Sequence, residues 1–271
     1  GLKVVGGKGS KSRQTQEELV KVGDEYSFSE KRIEDLRYSS RMTAKVDNTA
    51  IQAGYQLYHH CMFVSEKGGW AVVQQGMNAE NKMARRYHWL SENVVDFVEE
   101  PHQAIVCDAR HEKVLDLTSK QSGECKKTIV ELAKESPQQT RRLFDYLSSK
   151  QKTLSSWDQE CEYRIPRRMD WNAVERAYNL QPQNFEGLLS VEGVGPATVR
   201  GLALISQLIY GQEPSWKDPV KYSFAFGGKD GVPFPVKRRE YDQAIEILKD
   251  AVRQSKLGDF EKIKAIKRLS T

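Results

Sequence analysis

What this chain lacks narrows it first. No apolar run approaches the roughly 18 residues a membrane-spanning helix needs, and 29% of the 271 residues are charged. The sequence therefore predicts no membrane association. Cysteine is scarce, with four in all. Cys61, Cys107, Cys125 and Cys161 lie far apart, with no C-x-x-C among them. That spacing argues against a zinc or iron–sulfur site and predicts reduced thiols in a cytoplasmic protein. Internal repeats and low-complexity tracts are missing too. No signal peptide is expected, and the sequence opens at Gly1 rather than a methionine. Because Leu2-Lys3-Val4-Val5 already reads as a strand, further residues are expected upstream of Gly1.

What is present suits a soluble nucleic-acid partner. An apolar fraction of 38% is adequate for cores, and the net charge of +5 is mildly basic. The length predicts two domains, and the patterning divides them near residue 120. Residues 1–120 mix short strands, turns and a few helices. Ser29 is placed to cap a helix through Arg37, with Arg32 close behind. Gln56–Ser65 and Trp70–Gln75, separated by Glu66-Lys67-Gly68-Gly69, predict a β-hairpin. Gln103–Asp108 and Lys113–Leu117 predict a second one. Residues 121–271 carry helical periodicity, with helices over 123–135, 138–150, 170–180, 184–190, 196–211, 239–254 and 258–269. The fold class that follows is α+β, a small hairpin-containing domain packed on an all-helical one.

Leu188 to Val199 is the most informative stretch. It reads as a helix end, a tight turn through Gly193-Val194-Gly195, and a second helix opening at Pro196. Proline suits the first helical position, and the unpaired amides of that first turn, backed by the helix dipole, form an anion site. The stretch over 184–211 resembles a helix-hairpin-helix DNA-binding motif, which holds backbone phosphate without reading sequence. The residues predicted to touch DNA are Gly193, Val194, Gly195, Thr198 and Arg200, with Lys8 of the Gly6-Gly7-Lys8-Gly9-Ser10 turn as a further contact. That turn lacks Walker spacing.

The first half is dense in polar and aromatic residues. Tyr55, His60, Gln75, Asn78, Tyr87 and Trp89 could line a pocket that stacks a flipped base and bonds its edge. Lys45 and Asp47 could supply a nucleophile and an acid or base. His59-His60 lacks a third ligand at useful spacing, so no metal is expected and no cofactor either.

Past the hairpin the chain runs through Gln212-Glu213-Pro214-Ser215-Trp216-Lys217 to Asp218-Pro219. This order resembles the helix-hairpin-helix DNA glycosylase superfamily, whose essential aspartate follows such a hairpin and loop. Asp218 takes that place, twenty-five residues after Gly193 in a slightly longer loop than the family's. Bifunctional members carry a Schiff-base lysine where this chain has Ala197, so the resemblance implies a monofunctional enzyme. A carboxylate there would stabilise the positive charge that develops on the sugar and orient water. A second resemblance spans essentially the whole chain. It rests on Gly-Gly-Lys-Gly, Thr-Ala-Lys-Val-Asp-Asn, Tyr-His-His, Val-Val-Gln-Gln-Gly-Met-Asn, Arg-Arg-Tyr-His-Trp-Leu and the stretch from Asp218 to Gly231. These resemble a prokaryotic family known as domain of unknown function 763, a label that implies little about activity.

Together these readings predict a monomeric DNA repair enzyme. It would be a base-excision glycosylase acting on duplex DNA that holds an oxidised or deaminated pyrimidine, such as 5-hydroxymethyluracil or uracil. The alternatives are a structure-specific nuclease, which needs a carboxylate cluster for metal, and a non-catalytic DNA-binding subunit.

Overall fold

The computed structural model describes residues 1–79, 82–107, 110–154, 164–221 and 238–269. Its centre is a five-stranded antiparallel sheet in the order β1 (Leu2–Lys8), β3 (Gln56–Ser65), β4 (Trp70–Met77), β5 (Ala84–Leu90) and β6 (Ala104–Cys107). The period-two alternation of strands decides which side chains go in. His60, Met62 and Val64 of β3, Trp70, Val72 and Gln74 of β4, and Arg85, Tyr87 and Trp89 of β5 are all buried. Their neighbours are half-buried or exposed. Antiparallel register sets His60 opposite Gln74 and Gln74 opposite Tyr87.

Against this sheet stand α1 (Thr15–Glu25) and α2 (Glu30–Lys45). The Ser29 hydroxyl caps α2 by accepting the Arg32 amide at 3.2 Å, and the helix runs eight residues past the predicted end at Arg37. It closes in a π-helical turn over Val46–Ala50, where the Ile51 amide reaches back to the Val46 carbonyl. Next comes β2 (Ile51–Gln52), which pairs antiparallel with β7 (Leu115–Asp116).

The predicted second hairpin does not form. β6 extends the main sheet by pairing with β5, while β7 pairs with β2. Nor are Gly6, Gly7 and Lys8 a loop: they continue β1, paired with Cys61, His60 and His59. Gly6 has φ +81°, and a Cβ there would lie 2.4 Å from the His60 carbonyl oxygen, which explains glycine in a strand.

The helical part follows as α3 (Gly123–Lys134), α4 (Pro137–Leu154), α5 (Trp171–Leu180), α6 (Phe185–Ser190) and α7 (Pro196–Tyr210). Caps explain these boundaries. Asp170 accepts the Ala173 amide at 3.1 Å and Asn184 the Gly187 amide at 2.8 Å, while α7 ends at Gly211 with φ +71°. Leu2–Lys221 is one compact unit, in which Val64, Trp89, Leu36, Ile129, Leu188, Val199 and Ile205 belong to one continuous core. Residues 238–269 belong to a second unit, two helices α8 (Arg238–Gln254) and α9 (Asp259–Leu269). The fold is mixed α+β. Among the described residues no helix is long and apolar enough to cross a membrane.

Because Gly6 combines a positive φ with a backbone neighbour that cannot yield, Gly6→Ala is expected to lower stability by more than about 1 kcal/mol. A urea-unfolding midpoint equal to the parent's would show that β1 tolerates a side chain there.

Candidate functional site

Helix α2 presents chemistry on two faces. Residues seven apart lie two turns apart on nearly the same face. Tyr38, Lys45 and, just past the helix, Gln52 form one such set, and all three hold the α6–α7 hairpin. The Tyr38 hydroxyl donates to Glu186 of α6, the Lys45 ammonium to the Val194 carbonyl, and the Gln52 amide to the Pro196 carbonyl at 2.9 Å. Burial, with the Glu186 carboxylate beside it, pushes the Tyr38 hydroxyl up to about 12. Burial also holds the Lys45 amine below the ordinary lysine range.

This placement corrects the expectation for Lys45. It is not gathered with Tyr55, His60 and Trp89, because at helical pitch its side chain leaves α2 away from the sheet and its ammonium is committed to the hairpin.

The hairpin has the predicted outline. Gly193 carries φ +82°, a conformation that strongly favours glycine. A Cβ at Gly195 would have only the Gly193 oxygen nearby, at 3.8 Å. Pro196 opens α7, and the Val199 amide bonds to the Gly195 carbonyl at 3.0 Å. Several predicted contacts are placed otherwise. The side chains of Val194 and Thr198 are buried, and the Thr198 hydroxyl accepts the Asp170 amide. Arg200 donates to the Arg164 carbonyl at 2.8 Å and stacks over Trp216. Burial first, and the Arg164 charge second, hold its guanidinium below the usual arginine range. Lys8 is exposed, with its ammonium 5.7 Å from the Tyr58 ring centroid.

The opposite face of α2 carries Leu36, Ser40, Thr43 and, in the π-helical turn, Asp47, all buried. Here the stripe that packs on the sheet turns from apolar to polar, and a relay runs through it. Trp89 Nε1 donates to Asp47 Oδ2 at 2.9 Å, and Gln74 Nε2 donates to the same oxygen at 2.5 Å. His102 Nε2 lies 2.5 Å from Asp47 Oδ1. The other end of Gln74, Oε1, lies 2.9 Å from His60 Nδ1, and His60 Nε2 lies 2.9 Å from Ser40 Oγ.

The direction of these bonds follows from what each group can do. An ionised Asp47 only accepts, so the Gln74 nitrogen faces it and the Gln74 oxygen faces His60. His60 therefore carries its proton on Nδ1, and Nε2 accepts from the Ser40 hydroxyl. Burial holds His60 below its ordinary value and so neutral, against the opposing pull of Gln74 and Asp47. Burial pushes the Asp47 carboxyl up, opposed chiefly by His102 and also by the Trp89 bond.

Asp218 is not open to a substrate. Its side chain and that of Arg85 are 0% exposed, joined at 2.7 Å. Asp218 also accepts the amides of His111 at 2.8 Å and Val220 at 3.2 Å. Arg85 lies over the Tyr55 ring, and Tyr55 bonds Cys107 and His111. Thus Asp218 ties the loop after α7 to β5.

The six residues expected to form a base pocket do not converge. Tyr55, His60, Tyr87 and Trp89 are buried. Gln75 lies on the other face of β4, where it accepts from Arg86, and Asn78 follows the strand end, its amide on the Met83 carbonyl. Sequence reasoning missed Ser40, Gln74, Arg85 and His102. The signal for Ser40 was a hydroxyl at helical spacing from Leu36, Thr43 and Asp47. For Gln74 and Arg85 it was a polar residue at each inward strand position. None of the described cysteines is in a disulfide, and Cys161 lies outside the described residues. Among the described residues no group of three or more histidines, cysteines and carboxylates could hold a metal ion.

Two outcomes follow. Removing one partner of a buried ion pair strands the other, so Asp218→Ala is expected to cost about 3–5 kcal/mol of stability. Arg85→Met with Asp218→Leu should recover much of that in denaturant titration; a single variant as stable as the parent would contradict the pairing. Two histidines contribute to the pH dependence with a definite sign. Burial lowers both His60 and His88, so the unfolded chain takes up protons before the folded one does. Stability should therefore fall as pH drops below about 6.5. Histidine NMR titrations would check it, and a His60 midpoint above 6.5 would reverse the sign.

Compared with known proteins, residues 1–236 match a family model described as "Protein of unknown function (DUF763)". No curated protein and no solved structure matches.

Proposed function

The chain therefore belongs to the DUF763 family, and we propose that it binds double-stranded DNA through the α6–α7 hairpin, gripping the sugar–phosphate backbone without reading bases. The observation that carries this is the exposed first turn of α7, held rigid from behind. Gly193, Pro196 and Ala197 at the tip are exposed and small. The Ala197 amide lies in this exposed turn, whose donors have no acceptor within the helix, and Thr198 packs behind it. Arg200, one turn further along α7, donates to the Arg164 carbonyl, and Arg176 donates to the Glu192 carbonyl beside Gly193. Three bonds from the α2 side fix the hairpin before any ligand arrives, which lowers the ordering cost of binding.

Base excision is the second reading. What favours it is that the loop leading to Asp218 returns along α7, where Trp216 donates to Gln207 and lies under Arg200, within the same compact unit. It requires the Arg85–Asp218 pair to open when DNA binds. An abasic product from a duplex with an oxidised or deaminated pyrimidine, lost in Asp218→Asn, supports this reading; equal product from the variant ends it.

The binding proposal has a clean variant. Gly195 has an ordinary φ of −130° and open space at its Cβ, so Gly195→Val should fold normally while placing methyl groups before the amides. Affinity for duplexes of unrelated sequence should drop about tenfold or more in fluorescence anisotropy. The parent's affinity should fall steeply with salt as counterions are released. A folded variant with the parent's affinity would take the hairpin out of the interface.

A further inference from the structure

Ser40 and His60 do not merely cross the core. They meet the floor of a cleft of about 260 Å³, whose walls include Ser12, Arg13, Arg41, Tyr58 and His59. The relay fixes the chemistry at that floor. Trp89 has only an N–H to give, Asp47 accepts it, and each bond from there to Ser40 has one permitted direction. The result is a serine hydroxyl donating at 2.9 Å to an imidazole nitrogen that has no proton. A nucleophile on a base, with that base oriented by a third group, is the arrangement that activates an alcohol for attack.

The cleft also states its preference for charge. Among its lining residues are two arginines and no carboxylate. Arg41 is held at the rim by Gln16 at 3.1 Å and Glu34 at 2.7 Å, and Arg13 is exposed. Guanidinium groups suit the equatorial oxygens of a phosphoryl group far better than the single oxygen of a carboxylic ester. Ser12 and Arg13, from the turn that follows β1, and Thr15 and Gln16 at the start of α1 supply one wall.

We propose that Ser40 is the nucleophile of a phosphate-ester-cleaving site, with His60 its general base and Arg13 and Arg41 its phosphate clamp. Ser40 Oγ forms a bond to phosphorus as the bond to the ester alcohol breaks. The Ser40 proton passes to His60 Nε2 and from there to the departing alkoxide. Water then attacks the phosphoseryl group and gives its proton to His60. Ser40 leaves phosphorus and takes that proton back. The net change is phosphate ester plus water to alcohol plus phosphate. Gln74 and Asp47 are positioning residues, since they act through the imidazole. The site stands independently of DNA binding at the hairpin.

The test begins with a fluorophosphonate probe, whose P–F bond breaks as the serine oxygen attaches. Peptide mass mapping of the parent is expected to show one adduct on Ser40, missing in Ser40→Ala. No adduct on Ser40 in the folded parent, or unchanged labelling of Ser40→Ala, overturns the proposal. The substrate class is read with bis(4-nitrophenyl) phosphate, 4-nitrophenyl phosphate and the neutral 4-nitrophenyl butyrate. Cleavage of either phosphate ester, lost in Ser40→Ala, is expected; the two phosphates separate diester from monoester use. Cleavage of the butyrate alone overturns the phosphate assignment. Arg13→Gln with Arg41→Gln, both changes at exposed positions, should reduce phosphate-ester cleavage at least tenfold with an unchanged circular-dichroism spectrum. An unchanged rate removes the clamp. Should Ser40→Ala fail to fold, Ser40→Thr, which keeps a hydroxyl, decides the labelling: a threonine adduct at position 40 supports the site, and a folded variant labelled elsewhere refutes it.

Discussion

One buried carboxylate sets the terms for the centre of this protein. Asp47 has no solvent, and a charge in that position persists only where neighbouring groups repay its lost hydration. Here the compensation comes from three separate pieces of chain: Gln74 on β4, Trp89 on β5 and His102 just before β6. Those donors fix how α2 meets the sheet, because a small slide along α2 would strand the charge. They also polarise what lies beyond. Gln74 cannot flip without presenting its oxygen to a carboxylate, and an unflipped Gln74 dictates the tautomer of His60. A structural requirement at Asp47 thus reaches the surface as a chemical property at Ser40. Such networks gain from being fully satisfied and lose heavily when one member fails.

Helix α2 joins this centre to the hairpin. The pitch that aligns Ser40 with Asp47 also aligns Tyr38 with Lys45, roughly half a turn away. One face therefore answers to the sheet and the other to α6 and α7. Ser40 and Asp47 bracket Lys45 along the chain, so the relay and the hold on the hairpin share one stretch of chain on opposite faces. Rigid packing on both sides gives the hairpin tip a fixed orientation, the condition under which backbone amides can recognise an anion without further ordering. The same commitment explains why Lys45 is no free amine.

Local chemistry was readable in the sequence where it acts locally. The Ser29 cap, the hairpin through Gly68 and Gly69, Pro196 at the start of α7 and Gly211 at its end all stand where their residues predict. Long-range pairing was not readable. The spacing of Gln103–Asp108 and Lys113–Leu117 is that of a hairpin, yet each strand finds a distant partner. Period-two alternation puts Tyr87 and Trp89 on one face of their strand, but does not say that this face points inward. Polar residues in alternation usually mark the solvent side, and only the third dimension brings Asp47 and Asp218 to them. A change of periodicity at residue 120 marks a change of secondary structure, while the core continues across it.

Asp218 shows how far a spacing argument reaches. A carboxylate after a hairpin, a helix and a proline-containing loop is a pattern that two needs can satisfy. One is chemistry at a sugar. The other is mechanical, since a loop returning from α7 to the sheet must be tied down, and Arg85 on β5 brings a cation that burial would otherwise leave uncompensated. The geometry meets the second need: both side chains are fully buried, and the carboxylate accepts from Arg85 and from two backbone amides. Arg85 keeps two buried N–H groups, Nε and Nη1, without an acceptor among the described residues. A guanidinium with donors in reserve and one strong carboxylate partner is held chiefly by that partner. Asp218 therefore bears on the sheet before it bears on any ligand.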